Sequence, residues 1–247
     1  MATNFQGKVA FVTGGSRGIG AAVVRRLADG GAAVAFTFKG SRAAAEDLVA
    51  EIEASGGRAL ALHADAGDAS ALTQAVNEAA LRFGRIDILV NNAGVFSTAS
   101  IADIPVEEFD RMLNVNVRAV FIASQAALAH MGEGGRIINI GSCNAERMPF
   151  AGGATYAMSK AALVGLVKGM ARDLGPRGIT VNNVQPGPTN TDMNPAAGDF
   201  AGAMHDLMAL KRHARPEEIA AMVAYVASEE AGFVTGASLT IDGGFNA

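Results

Sequence analysis

A chain of 247 residues, half of them apolar and carrying a formal charge of −4, has material for one sizeable core and no long-range pull towards nucleic acid or an anionic membrane. A single cysteine, Cys143, excludes an intrachain disulfide framework, and no apolar run approaches the roughly 20 residues that cross a bilayer. Met1 to Lys8 is polar and lacks the apolar centre of a signal peptide, so a cytoplasmic protein is expected.

In chain order, short apolar runs at 9–13, 33–38, 59–62, 86–91, 137–140, 180–184 and 238–241 alternate with helical periodicity at 19–29, 42–54, 69–83, 106–130, 155–174 and 216–227. Pro105 and Pro216 stand where a helix should begin, and Gly30 and Gly175 where one should end. The runs are continuous rather than alternating, which suits strands covered on both faces. The expectation is an α/β fold: one doubly wound parallel sheet of about seven strands, helices on both faces, a single domain. The least regular stretch, 186–202, contains three prolines and follows the sixth strand, at the edge where such sheets bind ligands. It is expected to belong to a substrate lid over 186–215; a plain surface loop is the alternative.

Directly after the first strand the chain reads Thr13-Gly14-Gly15-Ser16-Arg17-Gly18-Ile19-Gly20 and runs into a helix. Glycines tighten such a turn and let the backbone approach a pyrophosphate, whose charge is favoured at the helix N-terminus. The second strand ends Thr37-Phe38-Lys39-Gly40-Ser41-Arg42, without the carboxylate that usually binds the ribose 2′-hydroxyl of NAD. Arg17, Lys39, Ser41 and Arg42 instead suit a 2′-phosphate, so NADPH is expected over NADH; a solvated basic turn is the alternative.

Tyr156 and Lys160 lie four apart on a predicted helix and so share a face. A neighbouring ammonium stabilises phenolate and lowers the phenol pKa, which makes the pair an acid–base candidate; alone, such a pair is usually surface decoration. Cys143 has no histidine near it in sequence, and His63, His130, His205 and His213 are scattered without ligand spacing, so neither a thiol nucleophile nor a metal is expected.

These pieces, with Asp65, Asn91-Asn92-Ala93-Gly94, Asn116, Ser142 and Pro186-Gly187, fall in an order and at intervals that resemble the short-chain dehydrogenase/reductase family over nearly the whole chain. The resemblance implies a Rossmann-type fold and four catalytic residues: Tyr156 as general acid in reduction and base in oxidation, Lys160 lowering its pKa, Ser142 on the substrate oxygen and Asn116 holding a water. Tyr156 and Lys160 are also expected at the cofactor, where Lys160 holds the nicotinamide ribose. It implies cofactor contacts by the Gly14–Gly20 turn, by Asp65 and Ala66 at the adenine, and by Asn92, Ala93 and Gly94 at the ribose. Pro186, Gly187, Thr189 and Thr191 should meet the nicotinamide end. The stretch from Ser142 to Tyr156 is one residue longer than in most relatives, which leaves Cys143 as a competing alignment for the serine.

The expected pocket wall of Phe96, Cys143, Asn144, Met148, Phe150 and Met193 is mostly apolar and suits small or medium uncharged ketones and keto esters. Relatives that act on acyl-carrier-protein thioesters carry basic residues beside the site. Arg177 fits that pattern, whereas Glu133 opposes it; Lys211, Arg212, His213 and Arg215 read first as a solvated turn before a helix, with another basic surface as the alternative. A third reading, a cyclic-dinucleotide-binding regulator on the same fold, comes from the likeness of Glu146-Arg147-Met148-Pro149 and Gln185-Pro186-Gly187-Pro188 to a biofilm-dispersal branch of the family. Ala161, Ala162, Gly165 and Gly169 permit close packing between subunits, and a homotetramer is expected.

Overall fold

In the computed structural model, which describes residues 4–247, the strands are β1 (Val9–Val12), β2 (Ala33–Phe38), β3 (Arg58–His63), β4 (Ile88–Asn91), β5 (Arg136–Ile140), β6 (Thr180–Pro186) and β7 (Ser238–Ile241). They form one all-parallel sheet in the order β3-β2-β1-β4-β5-β6-β7. The helices are α1 (Gly18–Asp29), α2 (Arg42–Ala54), α3 (Ala69–Phe83), α4 (Val106–Leu113), α5 (Ala119–Leu128), α6 (Ala154–Leu174), α7 (Ala201–Asp206) and α8 (Pro216–Ala227).

Strands β1, β2, β4, β5 and β6 are buried along their whole length, which is why their sequences read as unbroken apolar runs. One layer of side chains packs α1, α2 and α8 on one face, and a second packs α3, α5 and α6 on the other. The strand order reverses between β1 and β4, and the carboxyl ends of these strands open the crevice where such sheets take ligands.

Two local expectations need correction, and a third holds. The helix expected over 106–130 is interrupted by a π turn at Asn114–Arg118, in which the Ala119 N–H reaches back to the Asn114 carbonyl. The extra residue turns Asn116 inward, where its side chain is worth more as a backbone ligand than as helix surface. Helices α1 and α6 do end where expected, with Gly30 and Gly175 as their C-caps; the left-handed glycines follow at Gly31 and Gly178, and a 3₁₀ turn at Gly175–Arg177 continues from α6. Finally, the irregular segment after β6 carries the short helix α7. Its two ends are tied together by Asn190 N–H to Ala214 O and Ala214 N–H to Pro188 O, both 2.9 Å.

Candidate active site

The turn after β1 is built by side chains as well as by glycines. The Thr13 hydroxyl accepts the backbone N–H groups of Asn92 and Ala93 at 2.9 and 3.0 Å. The Asn92 carboxamide returns two bonds, to the carbonyls of Thr13 and Gly14. Gly14 and Gly18 adopt φ of +65° and +55°, which a side chain would strain. A Cβ on Gly20 would stand 2.2 Å from the Gly14 carbonyl oxygen. Helix α1 then opens with no side-chain cap and no acid in its first turn, so its free N–H groups and positive end face the crevice. This is a cradle for a pyrophosphate.

The crevice is a cleft of about 560 Å³. Gly14, Ser16, Arg17, Gly18, Ile19 and Gly20 line it, as do Phe38, Lys39, Ser41, Asp65, Ala66, Asn92, Ala93 and Gly94. Tyr156, Lys160 and Thr191 complete the expected set on its wall. Lys39 Nζ lies 2.6 Å from Asp65 Oδ2, and this ammonium, helped by the Gly67 N–H, holds the Asp65 carboxyl below the usual carboxylate range. Arg17 faces Asp192 across the cleft at 3.5 Å. Arg42, expected beside them, is turned away: its guanidinium lies over the Phe38 ring and pairs with Glu46.

Pro186, Gly187 and Thr189 lie off the cleft wall. Gly187 packs so closely on Asp242 that a Cβ would come within 2.6 Å, and the Thr189 hydroxyl donates to the Gly187 carbonyl. Asn114 and Arg111, neither singled out from sequence, do line the cleft. Asn114 donates to the Gly67 carbonyl at 2.7 Å and so fixes the turn that carries Asp65. The only sequence signal for it was its place two residues before Asn116.

At the other end of the cleft, Lys160 is 5 % exposed and its ammonium donates to the Ile140 carbonyl at 2.9 Å. It lies 5.8 Å from the centre of the Tyr156 ring. Burial pulls this lysine down to about 8 and pushes the Tyr156 phenol up to about 12. That is the opposite of the depressed phenol expected from the pair. Desolvation outweighs the other influences on the phenol, and the hydrogen bond with Ser142 is what draws it back down.

The Ser142 hydroxyl oxygen accepts the Asn144 N–H at 3.1 Å, while Gln185 holds the Ser142 carbonyl. Cys143 is buried beside Met208 and Phe245, and burial pushes its thiol up to about 12, so it is an inert core group rather than part of the pocket wall. Asn116 is fully buried. Its carboxamide closes both backbone groups of Val95, at 2.8 and 2.9 Å, and donates to the Ser159 hydroxyl, which in turn donates to the Tyr156 carbonyl. Neither Ser159 nor the edge-on packing of Phe96 on Tyr156, at 4.9 Å and 87°, was singled out as a support for the tyrosine from sequence.

The profile of the family described as enoyl-(acyl carrier protein) reductase matches residues 14–246. A short-chain dehydrogenase/reductase of Serratia marcescens is 62% identical, superposes with a TM-score of 0.97, and the match covers 98% of this chain and 99% of that one. This chain therefore belongs to the short-chain dehydrogenase/reductase family, whose members are oxidoreductases.

Two further relatives bear on ligands. A Burkholderia cenocepacia short-chain dehydrogenase solved in complex with NADP is 55% identical over 99% of this chain and all of its own, with a TM-score of 0.98. The cyclic-di-GMP-binding biofilm dispersal mediator protein of Escherichia coli K12 is 49% identical, over 98% of this chain and 99% of its own length.

Proposed function

We propose that the protein is an NADPH-dependent carbonyl reductase that converts a small or medium uncharged ketone or keto ester to a secondary alcohol. The observation that carries this reading is a buried ammonium and a phenol on the wall of the cleft that also holds the pyrophosphate cradle, with the Ser142 hydroxyl hydrogen-bonded to the phenol. The cofactor is NADP(H): Arg17, Lys39 and Ser41 give the cleft cationic and hydroxyl donors for a 2′-phosphate, and the uncapped end of α1 suits the pyrophosphate. When bound, it supplies the hydride that adds to the carbonyl carbon.

The chain's own groups serve the carbonyl oxygen. Tyr156 gives its phenolic proton to that oxygen as the C=O π bond opens, so the carbon gains hydride, the oxygen gains the proton, and a C–OH group results. Ser142, whose oxygen already accepts the Asn144 N–H, keeps its own proton to donate to the same substrate oxygen. Lys160 stabilises the phenolate left behind. Asn116 locks Val95 and, through Ser159, the start of α6, which keeps the cleft wall and the tyrosine in one geometry.

Phe96, packed on Tyr156, and Met193, on the cleft wall, are exposed apolar side chains at this end, which suits an uncharged substrate. Two of the cations considered for an acyl-carrier surface already have partners within the chain, which gives the carrier-bound thioester reading less support. Arg177 is engaged with the carbonyls of Leu128 and Met131, and Arg212 forms a bidentate pair with Glu218. The likeness to the Escherichia coli dispersal mediator supports a second reading, a cyclic-dinucleotide-binding regulator on the same fold. The exposed apolar side chains of α5 and α6, Phe121 and Met158 among them, support a homotetramer, which light scattering tests.

The deciding experiment is NADPH consumption with a panel of ketones, keto esters and a 3-oxoacyl thioester, with Tyr156→Phe as control and calorimetric titration of cyclic-di-GMP alongside. Turnover lost in the variant supports the reductase. Messenger binding with no turnover moves the protein to the second reading.

A further inference from the structure

Ser142 serves the reaction only if its hydroxyl hydrogen points at the phenol and the substrate oxygen. The Asn144 N–H sets that direction by occupying the hydroxyl oxygen, and it does so because residues Cys143–Ala145 form a 3₁₀ turn. The turn is gripped from outside by the end of the chain. Asn246 Nδ2 donates to the Cys143 carbonyl at 2.9 Å, and Arg147 donates to the Phe245 carbonyl at 2.6 Å.

The chain end is itself anchored. The Asp242 carboxylate accepts the N–H groups of Gly244 and Asn246, and Phe245 is buried against Cys143 and Met208. The carboxamide oxygen of Asn246 is buried without a hydrogen-bond partner. An unpaired buried acceptor is unfavourable, and reversing the amide would set two oxygens against each other. The arrangement therefore depends on the donor Asn246 presents to Cys143.

We propose that Asn246 is a positioning residue for carbonyl reduction: its carboxamide N–H holds the Cys143 carbonyl and, through the turn that follows, the direction of the Ser142 hydroxyl. The proposal rests on the roles given above to Ser142 and Tyr156. A hydroxyl that no longer points at Tyr156 also ceases to stabilise its phenolate, so the tyrosine becomes harder to ionise.

Asn246→Leu keeps the shape, removes the donor and adds no charge; Asn246→Ala serves if the leucine variant does not fold. The expected result is a kcat for carbonyl reduction lower by about tenfold, a loss of about 1.4 kcal/mol, with the KM for NADPH unchanged. The pH profile of the reverse alcohol oxidation should rise later. In a Ser142→Ala background the second substitution should cost nothing further. A wild-type kcat and pH profile, or a full tenfold loss on top of Ser142→Ala, overturns the proposal.

A readout without substrate separates this from the reductase reading. The chain has two tyrosines, so Tyr225→Phe leaves Tyr156 as the only phenol, and its ionisation can be followed by phenolate absorbance with and without NADP+. Asn246→Leu should move that midpoint upward. An unmoved midpoint overturns the positioning role. A moved midpoint with no turnover on any carbonyl keeps it and rejects the reductase.

Discussion

Replacing the buried lysine by an apolar side chain of similar shape should stabilise the cofactor-free protein while abolishing its turnover. Burial draws Lys160 from the ordinary 10.5 to about 8. Between those values the unfolded chain keeps a proton that the folded chain has lost, so stability rises with pH across that window. Below about pH 8 both states are charged and the full cost of the buried ammonium, about 3 kcal/mol, is present. Lys160→Met removes that cost and leaves the Ile140 carbonyl without its donor, a loss of about 1 kcal/mol. The net gain at pH 7, about 2 kcal/mol, corresponds to a Tm higher by about 4–8 °C for a chain of this size. Circular dichroism melts of both proteins at pH 7 and above pH 10 measure it. The advantage should be full at pH 7 and gone at the higher pH. A lower Tm for Lys160→Met at pH 7, or an advantage that does not change with pH, refutes the reasoning.

Tyr156→Phe should leave NADPH binding intact and reduce turnover by about a thousandfold, read by fluorescence titration and NADPH consumption. Lys39→Ala, which deletes the ammonium beside Asp65, should weaken NADPH binding by about tenfold and leave NADH binding unchanged; equal losses for both cofactors would contradict a 2′-phosphate role. Gly20→Ala places a Cβ against the Gly14 carbonyl and the Asn92 amide, so it should destabilise the fold by about 1–3 kcal/mol in denaturant titration and impair NADPH binding even where it folds.

The sheet was readable from sequence because burial on both faces writes itself as unbroken apolar runs, and β2, α2 and α3 begin and end where the pattern puts them. The cleft wall was readable because glycine is required where a Cβ would collide, as at Gly20. Other features have no such local signature. The π turn depends on a bond between Asn116 and Val95, 21 residues away, which no 3.6-residue period reveals. Arg42 matched the basic cluster by position, but the chain direction after Ser41 takes it into α2 and over Phe38. Arg177 looked like a docking cation, yet two carbonyls near the end of α5 claim it. The tyrosine–lysine pair was visible as spacing; the balance of its pKa values was not, because spacing carries no information on desolvation.

That balance bears on what the site is for. With the phenol at about 12, Tyr156 keeps its proton at neutral pH, which is the state a proton donor needs. Removing the proton costs about 3 kcal/mol more than from a free phenol, so the same tyrosine is a poor base until the solution is alkaline. Lys160, at about 8, is still largely an ammonium at pH 7 and stands ready beside the ring on which negative charge appears. Without cofactor, both groups are thus in the protonation states from which the proposed proton transfer to a carbonyl oxygen would begin. Lys160 also lines the cofactor cleft, so the cost of its burial in the cofactor-free fold can be offset by contacts with the nucleotide as well as by the proton transfer proposed above.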